Sequence, residues 1–159
     1  MGIIICRSLL ISATKGAEVV AGNLNEESSL PKALEGVHAI FVVTSFYESI
    51  WTKGADGAGE EEVQQFQNLA RVASGLPDLK HLVLSTLPPA SKVSNGALPV
   101  PHFDYKQKAV EWIQTELPDL WAKTTEFWPG FYTSNLRTAM FFYKPVSAHT
   151  LNEMAVTLN

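Results

Sequence analysis

KGAEVVAGNLNEESSLPKALEGVHAIFVVTSF, running from Lys15 to Phe46, holds a strand, a helix and a second strand in one uninterrupted stretch. Glu18 to Ala21 is a short apolar run with β-branched residues, and Ala39 to Thr44 is a longer one. Runs of this kind bounded by Gly and Asn are predicted strands. Between them Glu26 to Leu34 has an acidic first turn and helical spacing. Pro31 is tolerated only near a helix start, which sets that start near Ser28 to Leu30, and Gly36 supplies the stop. A strand, a crossover helix and a strand argue for parallel pairing.

The flanks repeat the alternation. Upstream, Ile3 to Cys6 reads as a buried strand and Arg7 to Thr14 as a short helix or loop. Downstream, Tyr47 to Gly59 is rich in Gly, Lys and Asp and is predicted to be a mobile loop. Glu60 to Ser74 then places Val63, Phe66, Leu69, Ala70 and Ala73 on one helical face, and Gly75 and Pro77 end that helix. His81 to Ser85 is a strand, Pro88 to Pro101 a long loop with four prolines, and Tyr105 to Thr115 a helix with Ala109, Trp112 and Ile113 inward. Trp121 to Glu126 is a strand before the Trp128-Pro129-Gly130 turn, and the pattern weakens beyond Leu136. The expected fold is α/β, a parallel sheet with helices on both faces.

With 159 residues and 46% hydrophobic content the chain can bury one core. A net charge of -4, without clustered Lys and Arg, offers nucleic acid no electrostatic footprint. The single cysteine, Cys6, allows neither an internal disulfide nor a CxxC spacing, which fits a reducing compartment. Arg7 and Ser8 interrupt the apolar opening, so neither a signal peptide nor a transmembrane span is expected. A soluble cytoplasmic protein is the expectation, with the nucleus as a second location.

In a doubly wound sheet, ligands sit beyond the carboxyl ends of the strands. That rule selects Asn23 and Leu24, Thr44 to Tyr47, Ser85 to Leu87, and Trp128 to Tyr132. Thr44, Ser45, Ser85 and Thr86 have hydroxyls for phosphate or ribose oxygens, and Phe46, Tyr47 and Phe131 have rings to cover a flat ligand. Alternatively, the hydroxyls serve the backbone of their own turns. Lys106 lies near a helix start, where a cation opposes the helix dipole, so a ligand or partner charge is expected beside it. Neighbouring Tyr105 points about 100° away and is not expected to act with it. Arg7 follows the first apolar run, where an arginine can hold an adenosine 2′-phosphate. His38, His81, His102 and His149 show no metal spacing, and Ser85 has no G-x-S-x-G context. No G-x-G-x-x-G occurs anywhere, so the glycine cradle for a pyrophosphate is missing from this sequence.

The ordered set of Lys15 to Phe46, LKHLVLSTLP, VPHFDYKQKAVEWI and WPGFYTSNL resembles the NmrA-like family of atypical short-chain dehydrogenases, most closely its fungal members. The resemblance covers Lys15 to Leu136. It implies a Rossmann-type domain binding NADP or NAD, followed by a smaller substrate or partner region. By position it implies Arg7 at the 2′-phosphate, Asn23 and Leu24 along the adenine, and Thr44, Ser45 and Phe46 on the adenine side. It implies Lys106 as the catalytic-type lysine at the nicotinamide ribose, with Pro129, Phe131 and Tyr132 along the nicotinamide. The family's opening strand and glycine loop would precede Ile3, and its C-terminal region would continue beyond Leu136. The expected fold is thus an incomplete Rossmann-like doubly wound sheet, truncated at both ends. Residues 1–136 would form the partial dinucleotide domain and 137–159 a divergent remnant. Some family members reduce substrates, and others sense dinucleotide and contact a transcription regulator. The expected function is accordingly a dinucleotide-sensing regulator, with a reductase of a small carbonyl or alkene, or an inactive fragment, as alternatives. Weak cofactor affinity and self-association through an exposed sheet edge complete the expectations.

Overall fold

The computed structural model describes Ile3–Ile4 and residues 18–130. Arg7, Phe131, Tyr132 and the segment 137–159 lie outside the described residues. The elements below belong to the compact unit Met1–Trp128, while Pro129 and Gly130 fall in a second unit.

Strand β1 (Ile3–Ile4) pairs in parallel with β2 (Glu18–Val19), Ile3 opposite Glu18 and Ile4 opposite Val19. A second sheet orders β3 (Ala39–Val42), β4 (His81–Ser85) and β5 (Thr124–Phe127) side by side, all parallel. Its register aligns Ile40 with Leu82 and Thr124, and Val42 with Leu84 and Glu126. The strand–helix–strand order holds, although among the described residues β2 pairs with β1 and β3 with β4, not with each other. A 3-10 turn at Glu27–Ser29 leads into α1 (Leu30–Ala33), with Pro31 in its first turn, before β3.

Two long helices cover this sheet, α2 (Ile50–Ser74) and α4 (Pro101–Glu116). Phe66, Leu69, Ala70 and Ala73 from α2 and Ala109, Val110 and Ile113 from α4 close over Ile40, Val42, Leu82 and Leu84. Among the described residues both helices lie on one face, not on two. Successive right-handed crossovers stepping the same way across a sheet return on the same side. The opposite face exposes Phe41 (59%), Val43 and Phe127, with the Phe41 and Phe127 rings 6.2 Å apart.

Three other expectations change. Tyr47 to Gly59 is not a loop: a 3-10 turn at Phe46–Glu48 is followed directly by α2. Gly54, at φ 71° and ψ 179°, divides α2 into a short first turn and a long second piece. Gly59 faces the ring of Tyr105, and a Cβ there would fall 2.1 Å from Tyr105 Cδ2. These glycines serve a kink and a close helix crossing, not a flexible loop.

Helix α4 begins at Pro101 instead of Tyr105 because Pro fits the first helical position. Asp104 reaches back to accept the Val100 N–H at 2.8 Å. The same carboxylate accepts the Ser91 N–H and hydroxyl, tying α3 (Ala90–Val93), within the Pro-rich stretch, to α4. Finally, Trp121 ends a short helix, α5 (Pro118–Trp121), so β5 starts only at Thr124.

Candidate functional site

Beyond the carboxyl ends of β2 and β3 lies a cleft of about 670 Å³. Gly22 to Asn25 form one wall and Val43 to Ser45 the other, with Glu48, Ser49, Thr52, Lys53, Glu61 and Gln65 between them. Four residues selected from the sequence, Asn23, Leu24, Thr44 and Ser45, therefore line one cavity. The first wall is a polar turn: Asn23 Oδ1 accepts the Asn25 N–H at 3.0 Å, and Ser29 Oγ accepts the Asn23 N–H at 2.9 Å. Asn25 Nδ2 donates to Glu61 at 3.0 Å, and Asn68 donates to the Leu24 carbonyl at 2.8 Å, pinning the turn to α2. Lys53 pairs with Glu61 at 3.1 Å. The Ser49 hydroxyl bond is the main cause holding the Glu61 carboxyl below its ordinary range; Lys53 and Asn25 add to it.

Behind the second wall is a buried charge cluster. Lys106 is 8% exposed and Glu62 1%. Lys106 Nζ donates to Glu62 Oε1 at 2.5 Å and to Thr44 Oγ1 at 2.9 Å, and the Thr44 hydroxyl donates to Glu62 Oε1 at 2.6 Å. The Phe66 ring lies 5.4 Å from the ammonium. The charge expected beside Lys106 thus exists, but within the chain itself. Sequence reasoning missed Glu62. Its signal was spacing: Glu62 extends the buried stripe of Phe66, Leu69 and Ala73 by one turn, and Lys106 likewise heads the stripe of Ala109, Val110 and Ile113.

Two strand-end hydroxyls have partners in the protein. Thr44 gives its only proton to Glu62, and Thr86, 1% exposed, gives its proton to Glu126 Oε2 at 2.9 Å. The same Glu126 oxygen accepts Gln107 Nε2 at 2.8 Å and the Trp128 indole at 3.0 Å, which leaves Thr86 a structural role. Ser85 is buried, whereas Ser45 is exposed. Phe46 is buried too, packing on Tyr47 and His102 at 5.6 and 5.7 Å. Burial holds the His102 imidazole below its ordinary value, against the attraction of Glu62. Tyr105 donates to Asp56 at 3.0 Å, away from Lys106, and partial burial together with that carboxylate raises its hydroxyl. Among the described residues no group of three His, Cys, Asp or Glu is placed to hold a metal ion, and no helix is long and apolar enough to cross a membrane.

Parallel strands joined through helices, with polar side chains gathered beyond their carboxyl ends, define a partial Rossmann-like α/β domain. The chain belongs to the NmrA-like family, whose family model matches residues 8–157. Among solved structures it is similar to NmrA, described as a negative transcriptional regulator, at 22% identity and TM-score 0.56. That match covers 75% of this chain and 32% of NmrA. It is also similar to gox2253 at 17% identity and TM-score 0.55, covering 78% of this chain and 41% of that one. The chain therefore spans less than half the length of either structure, and at these identities the likeness is one of fold.

Proposed function

We propose that this chain binds a nicotinamide dinucleotide, NADP or NAD, and acts as a dinucleotide-sensing regulator without turnover. The adenosine half occupies the cleft between Asn23–Leu24 and Thr44–Ser45, and the nicotinamide ribose approaches Lys106. The observation that carries this reading is that two strand ends far apart in sequence line one cavity of ligand size. Its chemistry fits adenosine. Glu48 and Glu61 offer acceptors to ribose hydroxyls and the adenine amino group, and Ser45 and Asn23 are exposed there. Without a glycine cradle for the pyrophosphate in this sequence, the affinity is expected to be weaker than about 10 µM, or roughly -7 kcal/mol.

Two side chains favour sensing over chemistry: the Lys106 ammonium is held by Glu62, and the Tyr105 hydroxyl is turned to Asp56, so neither forms a proton relay with the other. A protein partner of the transcription apparatus is the counterpart such a sensor requires, as the description of NmrA suggests.

Thermal unfolding of the chain with millimolar NADPH, and separately NADH, tests the reading. Ligand binding only the folded state raises the transition, by about 2.7 kcal/mol at a hundredfold excess over Kd. An unchanged transition with both ligands overturns the proposal. Sustained NADPH oxidation with a panel of small carbonyls and activated alkenes would instead establish a reductase.

A further inference from the structure

We propose that Glu62 is the positioning residue for Lys106, a role that rests on the dinucleotide reading above: it fixes the ammonium beside Thr44 and leaves one N–H for a ligand hydroxyl. An ammonium has three N–H donors. Glu62 Oε1 and Thr44 Oγ1 take two of them, and among the described residues the third has no acceptor. The Thr44 hydroxyl closes the triangle by donating to the same Glu62 oxygen, so the lysine end is held from two directions. Apolar packing fixes the stem, with Phe66 beneath the ammonium and Ala109, Val110 and Ile113 continuing the buried face of α4.

The pair is not a closed structural bridge. Such a bridge would satisfy both carboxylate oxygens, yet Glu62 Oε2 is buried and, among the described residues, accepts no hydrogen bond. One oxygen binds the lysine and the other has no partner among the described residues, an arrangement that serves aim better than stability. Thr44 also lines the cleft, so the cluster borders the place where the adenosine half would lie.

The test compares the whole chain with its Glu62→Gln variant, which keeps the shape and one acceptor but removes the charge. Binding of NADPH and of adenosine 2′,5′-bisphosphate, the adenosine-side fragment, is measured by calorimetry. The expected result is about a tenfold loss for NADPH, the effect of one charge-assisted hydrogen bond, with fragment affinity unchanged. Equal losses for both ligands, or none for NADPH, overturn the proposal, since a merely structural residue would affect both alike.

A second readout needs no ligand. Acetic anhydride labelling followed by mass spectrometry should modify Lys106 more slowly than Lys108 in the parent chain, and Glu62→Gln should speed Lys106 alone. Labelling of Lys106 that the substitution leaves unchanged also overturns the proposal. If the parent chain binds neither ligand, the dinucleotide reading fails, while labelling still decides whether Glu62 holds Lys106. Should Glu62→Gln not fold, Glu62→Leu with Lys106→Met removes both charges, and it should lose the NADPH preference while keeping the fragment; retained preference counts against the role.

Discussion

Thr44 and Ser45 are adjacent hydroxyls at the end of one strand, and they belong to different environments. Thr44 turns its hydroxyl to the largely buried charge pair between α2 and α4, at the border of the cleft; Ser45 is exposed at the cleft. Side chains alternate along extended backbone, so a single step separates the buried cluster from the exposed wall. The difference teaches that a polar residue at a strand end is not by type a ligand residue. Its neighbours across the fold decide whether its hydrogen bonds are already spent on the protein.

The contrast has measurable consequences, the largest at the buried pair. Lys106→Ala should strip Glu62 of its counter-charge and lower stability by about 3–5 kcal/mol, read as a fall in the urea midpoint. A variant as stable as the parent would show that the pair is not buried. Next, Thr44→Val should cost about 1–3 kcal/mol by depriving Lys106 of an acceptor, whereas Ser45→Ala should stay within about 0.5 kcal/mol. Equal costs in the same denaturation series would erase the distinction between the two sites.

A smaller effect follows from pH. Burial holds His102 below its ordinary 6.5 in the folded chain, so the unfolded chain binds the proton more readily. Stability should therefore decline as pH falls below about 6.5 toward the lower folded value, and His102→Gln should flatten that decline. Asp104 adds a later step. Partial burial raises its carboxyl, but the Ser91 and Val100 bonds outweigh it, so its folded value lies below the ordinary 3.8. Its contribution persists above 3.8 and is lost as pH falls through that range. A midpoint that stays level through the His102 range would contradict the first assignment.

Much of the fold was legible because periodicity is local. His81–Ser85 matches its predicted range, and Phe66, Leu69, Ala70 and Ala73 bury the face their spacing indicated. Asn23, Leu24, Thr44 and Ser45 could be named together because strand ends in parallel sheets share one side. What escaped depends on distant partners. Gly59 looks like a loop residue until the Tyr105 ring is known to rest on it, and Glu62 looks like one of three surface carboxylates until Lys106 arrives from α4. A charge lying on an apolar stripe is the one local sign of such a pairing, and both Glu62 and Lys106 displayed it.

The first turn of α2 carries a further consequence. Trp51 is 89% exposed and immediately precedes Thr52 and Lys53, which line the cleft, while Trp112 and Trp121 pack against the core. The molecule thus has a native fluorophore in water next in sequence to two residues of the cavity lining, set apart from the two indoles that pack on the core. A soluble quencher meets Trp51 and the half-exposed Trp128 ahead of the core pair, so once Trp128 is replaced by Phe, emission from the cleft and from the core can be told apart in the unlabelled protein.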